Sequence, residues 1–356
     1  MVSIDRPHLH RRSVLGGALA LGTAAFLPLH SAGRAYAAGP VIHDCAEWGA
    51  RKPSSPVNVL QTVPHKIIVH HTATANSTDY SQAHAFSLAR SIQNHHMDVR
   101  GFIDTGQHFT ISAGAHVMEG RHSSEAALAS GTQYVESAHC TEQNTVAVGI
   151  ETEGTFTTQE PRPAQYTALV QLCTHICRQY GLRAYQIYGH RDFNNTDCPG
   201  DRLYALLDRL RADVAAAIGG DPTAPVWPAL RGGDTGERVK TLQYLLVRHG
   251  TTLTVDGSFG PLTEAAVRDF QTVSRAAVDG VAGRQTWNQL VAPVRTGDSG
   301  DAVRAVQSRL VSLGHSLVVD GQFGTATRSA VTAFQSSGGL PTDGVVDART
   351  WSRLVA

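Results

Sequence analysis

The 356-residue chain carries 30 Lys and Arg against 30 Asp and Glu, with 42% hydrophobic and 17% charged residues. The length points to two or three domains, and the composition excludes a disordered chain. Without a basic surplus or stripe, a nucleic-acid partner is disfavoured.

The first predicted element is an export leader at 1–37. Arg11 and Arg12 form a twin arginine, a weakly apolar Gly/Ala-rich stretch follows, and Ala35-Tyr36-Ala37 has the small-x-small pattern of a cleavage site. The apolar run is shorter than the roughly 20 residues a membrane span needs, and Pro28 breaks it. A cleaved leader is therefore favoured over an anchor. Cleavage removes four basic residues and one acidic residue, leaving 26 against 29. The mature chain is expected outside the cytoplasm, as a monomer without a membrane partner.

All five cysteines precede residue 199. Export permits disulfides, and an odd count leaves one cysteine over, for which Cys198 is the candidate. Cys173 and Cys177 share a predicted helix face with Cβ atoms about 6 Å apart, too far for the roughly 3.5–4.5 Å of a bridge. If they pair, they pair with Cys45 and Cys140. Four buried free thiols are the equal alternative.

Residues 40–218 alternate strand-like and helical segments. The stretches 65–72, 108–112, 146–152 and 184–190 are β-rich. Helical periods run over 81–96, 163–181 and 200–219, the second with Pro163 near its start and Gly181 as its stop, the third with Asp201 as expected N-cap. The expected architecture is α/β, a mixed central sheet covered by helices. The Gly/Pro-rich stretch 219–228 reads as a linker.

Beyond the linker the chain repeats itself. "GGDTGERVKTLQYLL" at 232 matches "TGDSGDAVRAVQSRL" at 296, and "VDGSFGPLTEAAVRDFQ" at 255 matches "VDGQFGTATRSAVTAFQ" at 319, each at an offset of 64 residues. Two small all-α modules are expected, 229–292 and 293–356, each with three short helices. Val239, Leu242 and Leu246, then Val267 and Phe270, then Trp287 and Leu290 mark those of the first. The "DGSFG" and "DGQFG" runs lack the alternating oxygen ligands of a calcium loop and read as turns opening the second helix.

One stretch concentrates the chemistry. "GHRDFNNTDCPG" at 189–200 carries His190 and Cys198, both suited to a soft metal. A third ligand is expected where a buried strand emerges, and "IIVHHTAT" supplies His70 and His71. Alternation sends those two to opposite faces, so one of them reaches the metal. With His70 the set is two histidines and one thiolate, which zinc accepts with its fourth position left to water. His95 and His96 in "NHHM" are assigned to helix packing or solvent.

Taken together, "IIVHHTAT", "GIETEG" and "GHRDFNNTDCPG", with "CAEWGARKP" upstream, resemble the signature segments of type-2 N-acetylmuramoyl-L-alanine amidases, whose fold is shared by peptidoglycan recognition proteins. The resemblance covers roughly residues 43 to 215, and the 64-residue repeats resemble three-helix peptidoglycan-binding modules. It implies that His70, His190 and Cys198 bind Zn²⁺ and that the partner is peptidoglycan, both glycan strand and stem peptide. Two positions depart from the family pattern. Gln107 stands where a tyrosine often contacts the zinc-bound water, and Thr196 stands where phage members carry lysine. Gln107 cannot transfer a proton, so Glu151 is the expected general base, with Glu153 as competitor on the same side of its strand. Thr196 is expected to help hold the oxyanion. The implied activity is hydrolysis of the amide between N-acetylmuramic acid and L-alanine. The alternative is a non-catalytic recognition protein that retains a zinc site. Because the metal motifs all precede the linker, deletion of 228–356 is expected to leave hydrolysis of a soluble muropeptide nearly unchanged and to weaken retention on sacculi.

Overall fold

The structure is a computed structural model that describes residues 39–356. The expected leader at 1–37 lies outside them. No helix among the described residues is long and apolar enough to cross a membrane.

The first domain is built on a six-stranded sheet. Its strands are β1 (Ile42–His43), β3 (Lys66–His71), β4 (Phe109–Ile111), β5 (Val117–Glu119), β7 (Ala147–Thr152) and β8 (Ile187–Gly189), in spatial order β1-β5-β4-β7-β3-β8. All neighbours are parallel except β4 and β5, so the sheet is mixed, as expected. Two short strands, β2 (Val59–Leu60) and β6 (Tyr134–Val135), pair separately. The helices are α1 (Gln82–Asn94), α2 (Ser124–Ser130), α3 (Pro163–Tyr180), α4 (Asp201–Ala205) and α5 (Leu207–Ile218).

Alternation sorts the sheet's two faces. Ile67, Val69, Val148, Ile150 and Ile187 share one buried cluster with the apolar stripes of α3 and α5. Ile68 and Ala147 face the other way, into a smaller cluster with Cys140, Tyr188 and Phe193. Proline begins α3 and Gly181, at φ 68°, ends it, as its sequence predicts. The third predicted helix differs: it breaks at Leu206, and Gly200 rather than Asp201 is its N-cap. The Asp201 carboxylate is drawn instead to the Arg191 guanidinium at 2.7 Å.

All five cysteines are free thiols. Cys173 and Cys177 lie in the large core cluster, whereas Cys45 and Cys140 lie in two other clusters. The pairings considered from spacing are therefore not made.

The modules contribute α6 (Glu237–Arg248), α7 (Pro261–Val273) and α8 (Arg284–Leu290), then α9 (Asp301–Ser312), α10 (Thr325–Ser337) and α11 (Ala348–Leu354). The repeat has a physical cause visible in both copies. A buried glutamine at the centre of the first helix, Gln243 or Gln307, takes Gly257 or Gly321 N–H and donates to Asp256 or Asp320. The "DG" runs are thus turns held by an amide clip, as expected. The cores of both modules, including Trp287 and Trp351, form one continuous cluster.

Residues 219–228 carry no helix or strand, yet they are not a free tether. Trp227 stacks on Trp287 at 5.8 Å and donates its Nε1–H to Asn288, and Asp221 pairs with Arg349. The first module packs directly on the first domain.

Candidate metal centre

Parallel pairing brings the three sequence motifs to one edge of the sheet. His70 pairs in register with Glu151, and Val69 with Gly189, so His190 follows immediately beside His70. Carboxyl-terminal strand ends are where α/β sheets place their ligands. His70, His190 and Cys198 offer one donor atom each within 4.8 Å of one another. The His70 and His190 rings lie 4.5 Å apart, and Cys198 Sγ is 3.6 Å from His70 Nδ1. The His71 ring is drawn toward Phe156, whose amide donates to its Nδ1 at 3.4 Å.

The hydrogen bonds behind the two histidines decide which ring nitrogen faces the cluster. His139 Nε2 must donate to the Ala147 carbonyl at 3.1 Å, because a carbonyl only accepts. Its Nδ1 is then the acceptor for His70 Nε2–H at 2.9 Å, which leaves the lone pair of His70 Nδ1 toward Cys198. Asn194 does the same for His190: its Oδ1 accepts from Nε2 at 3.1 Å, leaving Nδ1 free. Ligand histidines are commonly oriented in this way by a partner on the far nitrogen. Burial holds His190 down to about 4 and His70 well below its usual range, so both rings are neutral and able to coordinate. Burial pushes the Cys198 thiol up to about 12, and a divalent cation would reverse that by binding the thiolate. The donor set and its neighbours therefore fit zinc, with three protein ligands and an open side.

That open side is a cleft of about 400 Å³ lined by all three ligands, Glu151, Gln107 and Thr196. Glu151 is half-buried, and burial raises its carboxyl to about 8. Glu153 does not compete with it. It lies beyond the end of β7, buried, accepting from Ala113 N–H at 2.6 Å and bonded to His84 at 2.7 Å. The expectation that both carboxylates share a side fails because the strand ends at Thr152. Thr196 Oγ1 accepts the Cys198 amide at 3.2 Å, so its own proton is available to the cleft. Gln107 is fully buried, donates to Thr110 at 2.8 Å, and leaves its Oε1 without a partner among the described residues. His95 and His96 line the cleft rim on a π-helical turn over His95–Val99, where His96 accepts the Gly106 amide. His108 spends both ring nitrogens on backbone groups.

Sequence reasoning passed over His139 and Asn194, which orient the ligands from behind. Gly149 is a local sign of this arrangement, since a Cβ there would stand 2.3 Å from the His139 ring. Gly149→Ala should therefore push His139 off His70. Zinc affinity is expected to fall by about 10–100-fold, checked by competition with a chromophoric chelator.

A mixed sheet with two histidines and a cysteine gathered at its carboxyl edge defines an α/β domain with a candidate metal site, here followed by paired helical repeats. The N-acetylmuramoyl-L-alanine amidase family model matches residues 60–201, and a peptidoglycan binding domain model matches 235–290 and 299–354. Peptidoglycan-recognition protein SC2 of Drosophila simulans is 30% identical over 167 residues, 47% of this chain and 84% of that protein. A "Probable N-acetylmuramoyl-L-alanine amidase" of Bacillus licheniformis is 26% identical over 337 residues, 82% of this chain and 92% of that protein. Among solved structures, Drosophila PGRP-LB is 28% identical with a TM-score of 0.42, covering 48% of this chain and 93% of that one. The chain belongs to the family that comprises N-acetylmuramoyl-L-alanine amidases and peptidoglycan recognition proteins.

Proposed function

We propose that the protein is an exported zinc amidase that cleaves the bond between N-acetylmuramic acid and L-alanine, with the tandem modules holding it on the cell wall. The observation that carries this reading is the donor triad itself. Three ligand atoms converge, both histidines are turned by hydrogen bonds to present Nδ1, and the remaining side opens onto a cleft containing a carboxylate. A purely structural metal would need a fourth protein ligand, and among the described residues the cluster contains three.

Zinc held there supplies Lewis-acid polarisation and a water of lowered pKa, toward about 7. The chain's own groups do the rest. Glu151 takes the proton from the attacking water and returns it to the departing amine of L-alanine. The Thr196 hydroxyl donates toward the oxygen that gains charge. Gln107 transfers no proton. His70 and His190 stay neutral throughout.

Recognition proteins among the relatives favour one rival reading, a protein that binds the wall without cutting it. Mass analysis of purified sacculi after incubation separates the two. New L-alanine amino termini are expected. Sacculi that capture the zinc-loaded protein yet yield none would leave recognition as the function.

A further inference from the structure

The segment that carries two of the three donor residues is held by the neighbouring module. Helix α8 offers its side-chain amides to four consecutive carbonyls of 191–194. Gln285 Nε2 donates to Arg191 at 2.7 Å and Asn194 at 3.0 Å, Asn288 Nδ2 to Asp192 at 3.3 Å, and Gln289 Nε2 to Phe193 at 2.8 Å. The loop before α8 adds two backbone groups. Ser274 carbonyl accepts Asn194 Nδ2–H at 2.9 Å, and Arg275 carbonyl accepts the Asn195 amide at 3.2 Å. The Ser274 contact matters most for the chemistry. With its NH₂ committed to that carbonyl, the Asn194 side chain turns its Oδ1 to His190 Nε2–H, which leaves His190 Nδ1 with the lone pair.

The internal repeat supplies a comparison within the molecule. At the offset of 64, α11 keeps the core residues of α8: Thr286, Trp287 and Leu290 correspond to Thr350, Trp351 and Leu354. The three docking positions are not kept. Gln285, Asn288 and Gln289 become Arg349, Ser352 and Arg353. Asn288 and Gln289 are buried at 3% and 8% exposure. The module fold tolerates either set, so the set in the first module answers to something other than that fold.

We infer that the first module is part of the catalytic unit: Gln285, Asn288 and Gln289 are positioning residues that fix the loop bearing His190 and Cys198. This rests on the amidase reading for its consequence, although the docking stands on its own geometry. It also revises the expectation that deletion of 228–356 leaves hydrolysis nearly unchanged.

The test gives the first module the second module's residues in the full chain, Gln285→Arg, Asn288→Ser and Gln289→Arg together. Hydrogen exchange of the 190–198 amides, zinc affinity by chelator competition, and kcat and KM on a soluble muropeptide are then measured. Expected are faster exchange confined to that loop, zinc affinity weaker by about 10–100-fold, and a lower kcat with little change in KM. Retention on sacculi should be unchanged. The reciprocal exchange in the second module, Arg349→Gln, Ser352→Asn and Arg353→Gln, should leave zinc affinity unaltered. If the triple variant does not fold, Gln285→Ala at the interface rim should still accelerate exchange and weaken zinc binding. Wild-type exchange and zinc affinity in a folded variant would overturn the inference. Unmodified protein that binds no zinc would instead overturn the amidase reading, with loop exchange still deciding the docking.

Discussion

Cys198→Ser is expected to yield a folded protein that retains no zinc and opens no muramyl amide. Serine keeps the size of the side chain but replaces a soft, ionisable sulfur by a hydroxyl that stays protonated, and zinc is left with two imidazoles. The loss should exceed the about 10–100-fold penalty typical of removing a partner behind a ligand. Against metal-free wild type little stability should be lost, because Cys198 is half-buried and a hydroxyl can take over its hydrogen bonds with the His71 amide and His70 Nδ1, at 3.4 and 3.6 Å. Metal analysis after dialysis, together with a melting curve, checks both halves. Stoichiometric zinc and full activity in this variant would remove the thiolate from the site.

Glu151→Gln carries the second large effect. The substitution keeps shape and most hydrogen-bonding capacity while removing the base. The rate should fall by about 10²–10⁴-fold with zinc retained. A second signature separates this role from packing. Burial raises the Glu151 carboxyl to about 8, above its unfolded value, so it removes stability as pH rises past that unfolded value. In metal-free protein at neutral pH, Glu151→Gln should therefore raise the melting temperature, while the zinc-loaded variant shows the loss of rate. Glu153→Gln should do the opposite, lowering stability with little effect on rate, because Glu153 is tied to the Ala113 amide and His84. A near-wild-type rate for Glu151→Gln would mean that another group activates the water. His108 is an unsuitable replacement, with both its nitrogens occupied.

What was legible in the sequence lies at strand ends. Periodicity and motif spacing point to His190, Cys198 and one of the two histidines that follow three buried aliphatics, and the family resemblance singles out His70. The repeats were legible because both copies keep the same glutamine clips and tryptophans at one offset. His139 was not, since it sits in an irregular segment and is one of 18 histidines. Its role depends on a ring-to-ring contact across 69 positions of chain. Asn194 was hidden for a similar reason: its orientation is set by a carbonyl 80 residues away. The docking of the first module did leave a trace, in the outward positions of α8 and α11 that differ while their inward positions agree. Nothing in composition or period says which copy faces the loop. The end of β7, which separates Glu151 from Glu153, depends on tertiary pairing rather than propensity.

The continuous core that joins the two modules has a consequence for how the protein grips a surface. A pair of anchors on a flexible string gains avidity over a broad range of target spacings, because the string adjusts its reach. Two anchors fused into one rigid block behave as a gauge. They gain the second attachment only where wall ligands recur at the block's own spacing, and elsewhere they bind as a single anchor. Because the first module also packs on the loop of the candidate metal site, a block anchored to a wall would present that cleft to it at a set distance and angle.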